Sequence, residues 1–467
     1  MSKGGAQKTS SPRFKPYPAY KESGVEWLRE IPANWETYSL RRKLFREAGS
    51  IKIGPFGSQL KLEFMTQEGF KVYGQEHVIA RDFGLGNKYV DQAKFSELAA
   101  CEIRPHDLVI TMMGSSGRCA VVPQGIQRGI MDSHLLRVRL PDAEIDPRFL
   151  CLLIDESPYV KDQIGALGKG AIMHGLNSSI IKSILLAVPP LPDQLDILAF
   201  FDRETTRIDA LVAKKERLIE LLQEKRAALI TQAVTKGLDP KAPMKDSGVE
   251  WLGQIPAHWK IKKLKYVVKG GLVNGLFKKK DQYGTGVKLI NVVNLYEKNF
   301  HIDFETLEYV EADQGELKTF LVSPGDIFFV RSSLKLEGIG SAACATVVPE
   351  PAVFECHLVR VRPSQTHISP EYLVYYLNST LVRQRLIALA ETTTMTTIAQ
   401  PKLASLDTVI PSHSAQGAIV AYLDQETTKF DALVAKVRDG IDRLKEYRTA
   451  LISAAVTGKI DVKGEAA

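Results

Sequence analysis

The sequence predicts a mixed α/β (α+β) fold made by tandem duplication: two similar globular domains separated by two long antiparallel coiled-coil helices, with pseudo-two-fold symmetry. Three observations predict it. Asp202 to Lys214 reads DRETTRIDALVAK and Asp424 to Lys436 reads DQETTKFDALVAK, identical at ten of thirteen positions. A second motif, ESGVEWLREIPANW at Glu22 to Trp35, returns as DSGVEWLGQIPAHW at Asp246 to Trp259. Between each copy of this motif and the helix that follows, the same order of short β-like runs recurs.

The helices come first because everything else is spaced by them. Apolar residues recur at helical steps, Ile208, Leu211, Leu218, Leu222 and Leu229 in the first copy and Phe430, Leu433, Val437, Leu444 and Leu451 in the second. Such steps of three, four and seven mark a coiled-coil seam. Each helix runs some forty residues, roughly 60 Å at about 1.5 Å per residue, which suits a spacer. At matching positions Lys215 stands opposite Val437 in the alignment, Leu218 opposite Gly440 and Lys225 opposite Tyr447. Neither stripe is complete alone, so each helix is expected to pack on the other.

The duplicated GVEWL-x-x-IPA-x-W motif holds all four tryptophans, Trp27, Trp35, Trp251 and Trp259. Large aromatics at the start of each unit predict a packing clasp that seats the globular region on the helices. Within the first region, Lys71 to Tyr73, DLVITM from Asp107, CAVVP from Cys119 and HLLRVRL from His134 alternate or run apolar as strands do, and Pro147 to Ile154 reads as a helix. The second region repeats the order with GDIFFVR from Gly325, ATVVP from Ala345, HLVRVR from His357 and a helix in SPEYLVYYLNS from Ser369. His134 and His357 match and are expected to be frame residues. The resulting division is a loose tail at 1–21, a first globular domain at 22–192, a central helix at 193–239, a second globular domain at 240–413, a distal helix at 414–462 and a short tail at 463–467.

Composition narrows function only a little. Sixty-one Lys and Arg against 54 Asp and Glu give a net charge of +7, which favours an anionic partner. Five scattered cysteines without a CxxC pair fit reduced thiols in a cytoplasmic protein. No run approaches the roughly 18 apolar residues of a membrane span. Catalytic patterns fail in turn: the GKG at Gly168 to Gly170 lacks a P-loop's flanking residues, Pro189-Pro190 is not part of an Asn-Pro-Pro-aromatic tetrad, and Glu316-Leu317-Lys318 has no Pro-Asp before it. The histidines show no metal-ligand spacing. The residues alone leave open a stand-alone methyltransferase or nuclease with unrecognised motifs, and a coiled-coil protein adaptor.

While the frame agrees between units, the connecting loops do not. GPFGSQLKLEFM at Gly54 to Met65 stands opposite NGLFKKKDQYG at Asn274 to Gly284, and ALGKGAIMHGLN from Ala166 opposite LAETTTMTTIAQ from Leu389. Loops rich in Gly, Ser, Thr, Asn and Lys approach phosphates closely and bond base edges, so they are the candidate DNA contacts. The candidates are Ser58, Gln59, Lys61, Ser115, Ser116, Lys169, His174 and Asn177 in the first region. In the second they are Asn274, Lys278, Lys279, Lys280, Arg331, Ser332, Lys335, Thr393 and Thr396.

Duplicated helices, divergent loops, the GVEWL-x-x-IPA-x-W entry and the PxLPDQxxI entry to the first helix together resemble the DNA specificity subunit of type I restriction-modification systems. The resemblance spans Glu22 to Val462 and implies two target recognition domains, each reading half of a bipartite double-stranded DNA site. It also implies no catalytic residue and no cofactor in this chain. Two modification (methyltransferase) subunits and ATP-dependent restriction subunits are the implied partners, with S-adenosylmethionine, ATP and Mg held on them. One departure is the second helix entry, PSHSAQGAI from Pro411, which lacks the Leu-Pro-Asp of Leu191 to Asp193.

Overall fold

A computed structural model describes residues 14–44, 49–56, 58–113, 117–140, 144–168, 176–296, 299–392 and 395–464. The chain forms two compact units, Met1–Lys214 with Gly440–Ala467, and Lys215–Asp439. Each unit takes in half of the central helix, Leu191–Lys236, and half of the distal helix, His413–Val456.

In the first unit a four-stranded antiparallel sheet has the order Ile51–Ile53, Leu135–Val138, Leu108–Thr111, Cys119–Val121. A second sheet pairs Phe70–Tyr73 in parallel with Gly129–Met131. The second unit repeats both: Val268–Asn274, Leu358–Pro363, Asp326–Val330 and Ala342–Ala345 in the first sheet, and Tyr283–Ile290 parallel to Ala352–Phe354 in the other. The expected mixed strand frame is therefore present twice. One strand falls earlier than expected, because Ala342–Ala345 forms it and Thr346 and Val347 lie exposed beyond its end. Alanines are poor β-formers, but the small side chains of this strand are wholly buried and let the helix Pro370–Asn378 pack closely.

The RVR run carries the staple of each sheet. Arg139 grips the buried Asp107 through two bonds of 2.7 and 2.6 Å, and Arg362 grips the buried Asp326 through bonds of 2.7 and 2.8 Å. Such planar double bonds to a carboxylate compensate its loss of water. The same carboxylates also accept from the backbone N–H of Arg104 and of Ser323.

A glutamine ties each long helix to its unit. Gln194 donates to the carbonyls of Glu144 and Pro189 and accepts from the Asp146 N–H; Gln416 donates to His367 and Pro411 and accepts from the Ser369 N–H. The missing Leu-Pro-Asp of the second entry therefore leaves this tie intact. What differs is Asp193, which binds Asn34 and Lys463, while Ala415 stands in its place in the second copy.

The helices run antiparallel within each unit. In the first, Asp193 meets Lys463 and Phe201 lies under Arg448; in the second, Arg226 meets Asp431 while Ile230 and Val234 share a core with Ile419 and Leu423. The seam is offset from the expected one. Inward positions are Ile208, Val212, Ile219 and Leu222, and Phe430, Val434, Val437 and Ile441, whereas Leu211, Leu218 and Leu433 are exposed. Both registers have heptad spacing, and the β-branched Val212, Ile219, Val434 and Ile441 fill the one adopted.

The tryptophan clasp is half of what the motif promises. Trp35 and Trp259 are buried, but Trp27 is 57% exposed and Trp251 half-buried. Each buried ring closes on a glycine just past a long helix: an added Cβ would stand 3.5 Å from Trp35 at Gly458 and 3.2 Å from Trp259 at Gly237. Both glycines have left-handed φ, 71° and 78°. Residues 14–21, expected in a loose tail, are instead packed: Tyr17 is buried and Lys15 bridges to Asp461.

Replacing Gln194 or Gln416 by Ala would strand three backbone partners, one buried and two part-buried. Either change is expected to cost about 2–4 kcal/mol, read as a lowered unfolding midpoint in denaturant, with Gln→Glu unable to restore both donated bonds.

Candidate nucleic-acid interface

Four segments converge at one end of the antiparallel sheet in each unit, joined by matching backbone bonds. Gly54 N–H donates to Leu135 O at 2.9 Å and Gly275 N–H to Leu358 O at 3.1 Å. At the strand end, Met112 N–H donates to His134 O and Arg331 N–H to His357 O, both at 2.8 Å. The last segment closes the cradle: Leu176 N–H donates to Met112 O at 3.0 Å and Ile398 N–H to Arg331 O at 2.8 Å. Every divergent loop named from the sequence springs from one of these segments.

Close approach explains the first segment. A Cβ on Gly54 would lie 1.7 Å from Asp132 O, and one on Gly275 2.2 Å from Glu355 O, so only glycine fits either position. The opposing turn is an acid-x-His pair in both units: His134 Nδ1 lies 3.4 Å from Asp132 and His357 Nδ1 2.7 Å from Glu355. These histidines are frame residues only through their backbones. Their side chains are a little under half exposed, and burial pushes the Asp132 carboxyl up against the pull of the His134 bonds.

Among the described residues Glu355, Cys356 and His357 form the one group with metal-ligand proximity, their ligand atoms within 4.8 Å. Burial and the Glu355 charge push the Cys356 thiol up, away from the thiolate a metal prefers. The counterpart turn takes the same form with Ser133 in the cysteine's place. The acid–histidine bond accounts for both turns.

The sequence candidates sort by what already holds them. Ser58, Gln59, Lys61, Lys279, Lys280 and Lys335 are exposed at the cradle, although Gln59 Oε1 accepts from the Phe56 N–H and Lys61 stands 3.5 Å from Glu63. Lys278 is buried against Glu316 at 2.7 Å, Asn274 accepts from Gln400 at 2.7 Å, and Asn177 caps the helix Ser178–Ser183. Ser332 bonds Thr397 at 3.1 Å, and Thr396 is buried in the strand beside it. Arg331 is half-buried with its Nε lacking a hydrogen-bond partner among the described residues. Ser115, Ser116, Lys169, His174 and Thr393 lie outside the described residues. Sequence reasoning missed the shared Gly-x-Phe, at Gly54 to Phe56 and Gly275 to Phe277, 221 residues apart; comparing the loops at that offset would have found it.

Each unit is thus a mixed α/β body with the same backbone cradle and its own set of loop side chains. A family model described as Type I restriction modification DNA specificity domain matches residues 256–443. The chain is 23% identical over 372 residues to the Type I restriction enzyme EcoKI specificity subunit of Escherichia coli (strain K12), covering 78% of this chain and 77% of that one. It is 23% identical over 457 residues to the MjaVIII specificity subunit of Methanocaldococcus jannaschii, covering 95% and 97%. A chain from a structural study of complex assembly and conformational transition in the type I R-M system shares the fold at TM-score 0.67 and 18% identity, over 92% of this chain and 99% of that one. The HsdS subunit from Thermoanaerobacter tengcongensis does so at TM-score 0.51 and 18% identity, over 92% and 98%. These likenesses support a specificity (S) subunit of a type I restriction-modification system.

Proposed function

We propose that the chain is the non-catalytic, sequence-reading subunit of a restriction-modification enzyme. Each unit reads one half of a bipartite, asymmetric double-stranded site, and the paired helices set the gap between halves. The observation that carries this reading is one backbone cradle built twice with different side chains. A common frame presents both loop sets alike, and the differing residues make the half-sites differ. Ser58, Gln59, Lys61, Lys279, Lys280 and Lys335 are the foremost contacts, Arg331 an inner one, and the residues already held by protein bonds shape the loops. Methyl transfer and cleavage fall to partners that carry S-adenosylmethionine, ATP and Mg.

The helices would dock the modification subunits. Identity between the helix copies extends to positions where packing does not require it: Thr206 and Thr428, Ala210 and Ala432, Leu211 and Leu433, Lys214 and Lys436 are exposed in both. Leu211 and Leu433, 40% and 48% exposed, would anchor one modification subunit each.

Two measurements follow. Removing Lys279 and Lys280 together is expected to lower the slope of log affinity against log salt by roughly 2, at about 0.9 per phosphate contact; a gel-shift salt series of the assembled complex reads it, and an unchanged slope removes both lysines from the interface. Leu211→Asp is expected to reduce the bound modification subunits from two to one, and the double change with Leu433→Asp to none, by native mass spectrometry.

A further inference from the structure

Among the described residues, the four most exposed large apolar side chains include two phenylalanines, Phe56 at 78% and Phe277 at 72%. The other described phenylalanines are buried or half-buried, and Phe149, Phe328, Phe329 and Phe354 are wholly enclosed. Leaving one phenyl ring in water is unremarkable; leaving two at the same point of a duplicated frame is a shared property.

Their stems are fixed. Each ring follows by two residues the glycine pressed on the acid-x-His turn, and the intervening Pro55 and Leu276 are buried. Leu276 N–H donates to Phe354 O at 2.9 Å; Phe56 N–H donates to Gln59 Oε1 at 3.1 Å, and Gln59 N–H returns to Phe56 O at 2.8 Å. A rigid stem holding a bare ring loses little conformational entropy on binding. Exposed lysines stand near both rings in unlike sequences: Lys61, 3.5 Å from Glu63, beyond Phe56, and Lys279 and Lys280, ahead of Asp281, beyond Phe277.

We propose that Phe56 and Phe277 are wedges, each inserting its ring at a base-pair step of the half-site its unit reads. The proposal rests on the DNA-reading function above. An aromatic ring beside exposed lysines suits bases flanked by phosphates. Since any base has a π-face, the wedge is common to both units while the loops around it differ. It fixes depth and register, and its neighbours read sequence.

The test uses the chain assembled with its modification subunits, on a duplex carrying the methylated site with 2-aminopurine at successive positions. The wild-type complex is expected to brighten the probe at one step in each half-site. Phe56→Ala and Phe277→Ala should each abolish the signal in one half only and weaken binding by about five- to a hundredfold, with Phe→Trp retaining both. A variant that binds as wild type with an unchanged signal overturns the wedge, as does one that loses its modification subunits, which would assign the ring to a protein interface. Failure of the wild-type complex to bind the duplex would instead overturn the DNA-reading function itself.

Discussion

The fold depends on how each long helix leaves its globular unit, and a single buried glutamine governs that exit. Gln194 and Gln416 each join three pieces of backbone: the proline before the helix, the loop ahead of the first core helix and that helix's N-cap residue. Buried amides of this kind are costly when half satisfied and specific when fully satisfied. Because the bonds are made to backbone, they hold whatever the neighbouring side chains are. That is why a second entry with His-Ser-Ala in place of Leu-Pro-Asp still exits in the same way.

The same economy of means builds the cradle. Its matched bonds run from backbone to backbone, at Gly54 and Gly275, Met112 and Arg331, Leu176 and Ile398. Side chains at Met112 and Arg331 and at Leu176 and Ile398 are free to differ, and they do, whereas close approach to backbone holds Gly54 and Gly275 to glycine. A frame held by main-chain bonds and by the buried Asp107–Arg139 and Asp326–Arg362 pairs can carry two unrelated loop sets without changing shape.

Duplication made most of the architecture legible in the sequence. The inward positions of the helix copies, the RVR strands and the Trp35 and Trp259 anchors are places where packing constrains the residue. What stayed hidden has physical reasons. Leu211 and Val212 offer two heptad registers that differ by one residue, and only the partner helix chooses. Ala342–Ala345 is a strand because a helix must approach it, which no β-propensity records. Asn274 and Lys278 look like free polar groups until Gln400 and Glu316, 126 and 38 residues away, occupy them. The Gly-x-Phe pair was concealed by loops that differ on either side of it.

Modular reading is the central claim, and exchanging one set of loops tests it most directly. Residues 54–177 are replaced with the corresponding segment of another specificity subunit, the complex is expressed in a host lacking other methylation, and the methylated sites are mapped across the genome. The account predicts that one half of the target changes while the other half and the gap between them stay as before; a change in both halves would contradict it.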